Sequence, residues 1–187
     1  HLGARTDAMP SYIPSLRAVN VGGRFVKMDS LREALGDAGF SDVQTHIQSG
    51  NVFVRSARRT PGPVGVEISR VLTAPCGFDV PAIVRTPAQV RSVLAAVDAV
   101  EPLLVGESRR YVAFADADIP LEAAAQLDAW DRPDERVRVL GSEVLAEMTA
   151  GFHKTTLTNT RLERLTGRTT TWRDLSVVRA IDEKWGA

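Results

Sequence analysis

The sequence predicts a mixed α+β protein, with a ferredoxin-like N-terminal half and a smaller α+β C-terminal part. Three observations carry this. Short strand patterns and helical patterns alternate along both halves, glycine turns separate paired strands, and no apolar run is long enough to span a membrane. The first half reads β-α-β-β-α-β, the split βαβ order.

In that half, Tyr12 to Leu16 reads as a strand, and Pro14 inside it argues for an edge position or a bulge. Gly22-Gly23 breaks the chain. Asp29 or Ser30 then caps a helix with Leu31, Ala34 and Leu35 on one face, ending at Gly39. Val43 to Ile47 and Val52 to Val54 are short strands joined by a tight turn at Ser49-Gly50. Val64, Ile68, Val71 and Leu72 have helical spacing, and Pro81 to Val84 returns as a strand.

Pro87 opens the next helix, which runs through Val97, and Tyr111 to Phe114 is a strand. A helix from Leu121 to Trp130 begins at Pro120. Strands at Arg136 to Leu140 and Val144 to Met148 flank Gly141-Ser142, and helices cover Thr158 to Leu165 and Leu175 to Trp185. This half reads β-α-β-β-α-α, an echo of the first without its closing strand. Arg58 to Pro63 and Val100 to Arg110 are the linkers. Residues 1–8 read as a disordered extension before a natural start at Met9, residues 9–99 as the ferredoxin-like unit and residues 100–187 as the second unit.

Lys+Arg and Asp+Glu are both 23, so the chain lacks the basic excess of a duplex-binding protein. Cys76 is the single cysteine, which excludes an intrachain disulfide and a thiolate metal cluster and reads as a small buried hydrophobe. The first eight residues lack the apolar core of a signal peptide, so the expected compartment is the cytoplasm. His1, His46 and His153 are scattered without metal-ligand spacing. No phosphate loop, dinucleotide fingerprint or nucleophile elbow occurs. No metal or cofactor is therefore expected, and Ser49 is a turn former; an enzyme acting on a phosphorylated or carboxylated substrate stays an alternative for which no acid, base or nucleophile stands out.

The best chemical candidate runs from Arg17 to Lys27. Arg17 leaves a strand end, Asn20 follows, and Gly22-Gly23 lets backbone N–H groups approach a ligand without Cβ obstruction. Arg24 and Lys27 add positive charge before a helix N-terminus, which favours anions. A small phosphate- or carboxylate-bearing ligand is the expected partner. Gln48 and Asn51 in the hairpin read as a separate structural lock. An alternative is single-stranded nucleic-acid binding in the manner of an RNA-recognition motif, with Tyr12 and Phe53 stacking bases on an open sheet face. Asn51 and Ser56 stand where further aromatics are expected in such a motif.

Two stretches, Leu16-Arg17-Ala18-Val19-Asn20-Val21-Gly22-Gly23 with Lys27-Met28, and Thr45-His46-Ile47-Gln48-Ser49-Gly50-Asn51-Val52-Phe53, flank one short helix. Together they resemble a bacterial family known as domain of unknown function 1697, with Ala18 in place of the family's glycine. Further on, Gly151 to Thr158 resembles the family's Ser-Lys-Leu segment and keeps Lys154. Thr171 to Val178 resembles its Thr-x-Arg-Asn-Trp-x-Thr-Val segment, matching at Thr171, Arg173 and Val178 and departing at Asp174, Leu175 and Val177. The resemblance implies a fold and a polar cluster without a reaction, and it adds Lys154 and Arg173 to the ligand-binding set.

Overall fold

The computed structural model describes residues 9–17, 24–47 and 49–186. The first half contains β1 (Ser11–Leu16), α1 (Met28–Asp37), β2 (Ser41–His46), β3 (Asn51–Arg55), α2 (Pro61–Cys76), β4 (Ala82–Arg85) and α3 (Pro87–Asp98). The second contains β5 (Arg109–Ala115), α4 (Leu121–Asp128), the two-residue β6 (Asp131–Arg132), β7 (Glu135–Leu140), β8 (Glu143–Met148), α5 (Asn159–Thr166), β9 (Thr170–Asp174) and α6 (Leu175–Trp185). A 3-10 turn at Phe152–Lys154 precedes α5.

Two antiparallel sheets result. The first has the order β2-β3-β1-β4 and the second β6-β7-β8-β5-β9. With β6 set aside as an added edge, β5, β7, β8 and β9 take the places of β1, β2, β3 and β4. The second half thus has its closing strand. The sequence pattern omits β9 because Thr170–Asp174 carries Arg173 and Asp174 at its end and gives no apolar alternation. After β4 and after β9 alike, the chain enters a helix directly.

Pro14 lies in a central strand, where an edge or a bulge is expected. β1 sits between β3 and β4. Its pairing with β3 joins Ser11, Tyr12 and Ser15 to Arg55, Val54 and Asn51, skipping Ile13 and Pro14. The proline costs a local gap in one ladder while the β4 side stays paired through Ile13, Pro14, Ser15 and Leu16. Ile47 falls outside β2, with a positive φ of 52°. Lys27, not Asp29 or Ser30, is the α1 N-cap, and Asp29 lies in the first turn.

Three cores stack through the molecule. Tyr12, Leu16, Val52 and Val54 on the outer face of the first sheet pack against Leu31 and Leu35 of α1 and Val64, Ile68 and Leu72 of α2. Ile13, Phe53 and Ile83 on its inner face meet Val112, Phe114 and Leu145 of the second sheet, together with Val90, Val93, Leu94 and Val97 of α3 and Val178, Ile181 and Trp185 of α6. The outer face of the second sheet packs Tyr111, Val144 and Ala146 on Ala123 and Leu127 of α4 and Leu162 of α5. Each large apolar side chain contributes about 1.5–3 kcal/mol by leaving water, so the shared central core ties the halves together. The two helices that follow β4 and β9 supply much of it.

Candidate functional site

The basic residues expected to converge do not line one shared hollow. Arg17 is half-buried and its Nη2 donates to Glu163 Oε1 of α5 at 2.6 Å. Lys27 caps α1 and lines a small hollow with Phe25, Ser30, Leu72 and Cys76. Lys154 is exposed beside another small cleft with Gly151, Thr155 and Glu135. Asn20, Gly22 and Gly23, like Gln48, lie outside the described residues.

Arg173 is buried, and all its donors are committed. Nε donates to Asn51 Oδ1 at 2.6 Å, Nη1 to Thr171 Oγ1 and Trp172 O at 2.7 and 2.9 Å, and Nη2 to Leu16 O and Gly50 O at 2.9 and 3.5 Å. A guanidinium has five N–H groups, so none remains for a ligand. Burial pulls its pKa down from 12.5 to about 10, which still leaves the group charged at neutral pH. Asn51, fully buried, completes the lock by donating from Nδ2 to His46 O and Ser49 Oγ.

The first half supplies the counterpart. Arg85, the last residue of β4, donates from Nε to Glu143 Oε1 at 2.8 Å, from Nη1 to Val84 O at 3.2 Å, and from Nη2 to Ala115 O and Ser142 O at 2.7 and 3.5 Å. Arg85 therefore reaches from the first sheet to the end of the paired strands β5 and β8, and Arg173 from the second sheet to the end of the paired strands β1 and β3. A matching pair of backbone bonds sets each target: Leu16 N–H to Gly50 O at 2.8 Å, and Ala115 N–H to Ser142 O at 2.9 Å.

Two further buried carboxylates carry structure. Glu147 accepts from Arg110 Nε at 2.8 Å and from the backbone N–H groups of Leu103 and Leu104, pinning the connection between α3 and β5. Glu135 accepts from Trp130 Nε1 at 2.8 Å, from Thr156 Oγ1 at 3.1 Å and from Thr155 Oγ1. Cys76 is half-buried, and burial pushes its thiol pKa up, away from the reactive thiolate. Among the described residues no group of three or more His, Cys, Asp or Glu side chains could hold a metal ion.

The open concave surface lies elsewhere. A groove of about 600 Å³ runs between α2 and the outer edge of β4, lined by Gly65, Ser69, Arg70, Ala82 and Val84 with Asp116 from the other half. β4 is an edge strand. Arg17 N–H donates to Pro81 O at 2.9 Å, so Pro81 faces β1 and Ala82 turns its own N–H and C=O outward. Gly65 permits the close approach of helix and strand, because a Cβ there would lie 2.7 Å from Ala82 O. Arg70 is exposed and has no hydrogen-bond or ion-pair partner among the described residues. A glycine inside a helical apolar pattern is the one sequence signal that marks this groove.

Tyr12 and Phe53 do not share a surface. They are 1% and 5% exposed and belong to cores on opposite faces of the first sheet. Base stacking on a sheet needs exposed rings on one face.

The family described as Protein of unknown function (DUF1697) matches residues 9–145, more than half of the chain, and the chain belongs to that family. No curated protein matches the chain. Among solved structures it is similar to the conserved bacterial protein SP0830 from Streptococcus pneumoniae, with a TM-score of 0.68 and 20% identity over 96% of this chain and 100% of that one. Such a likeness concerns the fold. Among the described residues no helix is long and apolar enough to cross a membrane.

Proposed function

We propose that this member of the DUF1697 family is a binding protein for a small carboxylate-bearing ligand, seated in the groove between α2 and the outer edge of β4. The carrying observation is the conjunction of three features. The groove has the volume of a small-molecule site, its floor is a strand edge with outward backbone donors, and Arg70 beside it is an uncommitted guanidinium. We read each half as a ferredoxin-like unit, a reading supported by the strand order β2-β3-β1-β4 and its counterpart in the second sheet. The lone, half-buried Cys76 supports a reducing compartment such as the cytoplasm.

A second reading keeps the anion at Arg17. Its Nε is buried without a hydrogen-bond partner, which favours a ligand contact there. One experiment separates the two. Thermal melting is followed with acetate, succinate, tri-alanine and inorganic phosphate, since a ligand of the native state raises the melting temperature by mass action. The groove reading expects a carboxylate-dependent rise that Arg70→Met removes and Arg17→Met keeps. The opposite pattern moves the site to Arg17, and no rise with any probe removes the binding function.

A further inference from the structure

The two halves carry the same groove, and one of the two is filled. By strand position and shared backbone bonds, Pro81 corresponds to Thr169, Ala82 to Thr170, Arg85 to Arg173 and Arg17 to Asp116. Arg17 N–H donates to Pro81 O at 2.9 Å, and Asp116 N–H donates to Thr169 O at 3.1 Å. At the edge of β9, the outward N–H of Thr170 donates to Glu163 Oε2 at 2.8 Å. Glu163 Oε1 in turn accepts from Arg17 Nη2 at 2.6 Å. A carboxylate from α5 and a cation from the other half thus occupy this edge together.

At the edge of β4 the corresponding N–H belongs to Ala82. The single carboxylate of α2, Glu67, is paired with Arg58 and is not among the lining residues. Asp116 stands where the filled edge has Arg17, and it lines the open groove. Its Oδ1 accepts from Thr169 N–H at 3.1 Å, and its side chain belongs to an exposed residue. Arg85 is held by Glu143, so the charges of the groove without an ion-pair partner among the described residues are Arg70 and Asp116. The open edge lacks what the filled edge has from the chain itself: one carboxylate and one cation.

We infer that the β4 groove takes a short zwitterionic peptide, its C-terminal carboxylate on Ala82 N–H as Glu163 sits on Thr170 N–H, and its ammonium toward Asp116. A peptide fits better than a lone amino acid because Val84, the next outward residue of the edge, presents a second N–H about 7 Å further along, the two-residue repeat of a strand. Edge pairing of this kind gains main-chain hydrogen bonds along an extended ligand. Phosphate has no cationic group for Asp116 and is disfavoured. This inference rests on the ligand-binding reading above and narrows its ligand class.

The probe is tri-alanine, compared with its C-terminal amide and its N-acetyl form, with binding read by calorimetry and melting temperature. Free tri-alanine is expected to bind, the amide at least tenfold more weakly, and the N-acetyl form more weakly than the free peptide. Ala82→Pro deletes the outward N–H, at a position where an edge strand tolerates proline, and should give the same loss. Ser69→Glu puts a carboxylate on α2 one turn from Gly65; it should raise the melting temperature without ligand and abolish binding. Should Ala82→Pro fail to fold, Ser69→Glu decides alone. Equal binding of amide and acid, or unchanged affinity in the folded variants, overturns the peptide inference and leaves an Arg70-dependent anion response standing. If no probe binds the wild-type protein, the ligand-binding reading falls, and this inference with it.

Discussion

Arg85 and Arg173 are the same residue twice. Each stands immediately before the N-cap of the helix that leaves the last strand of its half, Thr86 for α3 and Asp174 for α6. Each donates to the carbonyl of its own preceding residue, to the last residue of the other half's first strand, and to the first side chain of the other half's third strand. They differ in the final acceptor. Arg85 meets the Glu143 carboxylate, whereas Arg173 meets the neutral amide of Asn51 and relies on carbonyl oxygens to offset its buried charge. The pair works as two reciprocal cross-links between sheets that already share an apolar core.

Removing Arg173 should therefore be costly although the residue is not among those that line the groove. Arg173→Met leaves Leu16 O and Asn51 Oδ1 buried without their donor, at about 1–3 kcal/mol for each unsatisfied group. A loss of roughly 3 kcal/mol is expected from the urea midpoint. Arg173→Lys should recover only part of it, because an ammonium cannot reproduce the fork. A variant as stable as wild type would show that the cross-link is not needed.

Gly65 makes a prediction about the groove. A methyl group there meets the backbone carbonyl of Ala82 at 2.7 Å, and a carbonyl cannot swing aside as a flexible side chain can. Gly65→Ala should force α2 away from β4 and cost roughly 1–3 kcal/mol as an overpacked contact, against the usual gain from alanine in a helix. Chemical denaturation measures it. Stabilisation by this substitution would mean that helix and strand separate freely.

Much of the architecture is legible in the sequence because it is local. Leu31 and Leu35, Val64 and Ile68, and the Ser49-Gly50 and Gly141-Ser142 turns mark helices and hairpins within a few residues of themselves. β9 is not legible in this way. Its five residues include an arginine whose burial depends on Asn51, 122 positions away in sequence. The groove escapes the sequence for a related reason. An edge strand is defined by what fails to pair with it, and Ala82–Arg85 reads like any short strand. A chemical reading of Arg17 sees its charge but not Glu163, which lies 146 positions off and takes that charge up. A repeated pattern, arginine followed by a helix cap at Arg85-Thr86 and Arg173-Asp174, was the available sign that the halves correspond.

Acid should weaken the docking of α6 on α3 slightly. Arg179 of α6 holds Asp98 of α3 through two bonds, of 2.6 and 3.2 Å, and the hydrogen bond from Arg179 lowers the Asp98 pKa below its ordinary 3.8. A carboxyl whose folded pKa is depressed stabilises the native state above its unfolded pKa, and that contribution is lost as pH falls through the folded value. The pair is about half exposed, so solvent screening keeps the effect small. Asp98→Asn should lower the melting temperature slightly near neutral pH and converge on wild type as the pH falls below the ordinary carboxylate range. A gap that widens on acidification contradicts the sign.

The two aromatic rings give the last prediction, which sets packing against nucleic-acid binding. Phe53 lies in the central core with its ring 5.8 Å from that of Trp185, and Tyr12 lies under the outer helices with its hydroxyl donating to Arg58 O. Phe53→Ala opens a cavity between the sheets and should cost about 3–5 kcal/mol, whereas Tyr12→Phe loses one hydrogen bond and should cost about 1 kcal/mol. Neither ring can reach a base while the cores stay closed. Fluorescence anisotropy with a labelled 12-nucleotide uridine oligomer should accordingly show weak binding, unchanged in Tyr12→Phe. Tight binding by the wild-type protein that Phe53→Leu abolishes, in a variant with an intact melting transition, would mean that the first sheet opens its inner face to single strands and that the central core is not permanently shut.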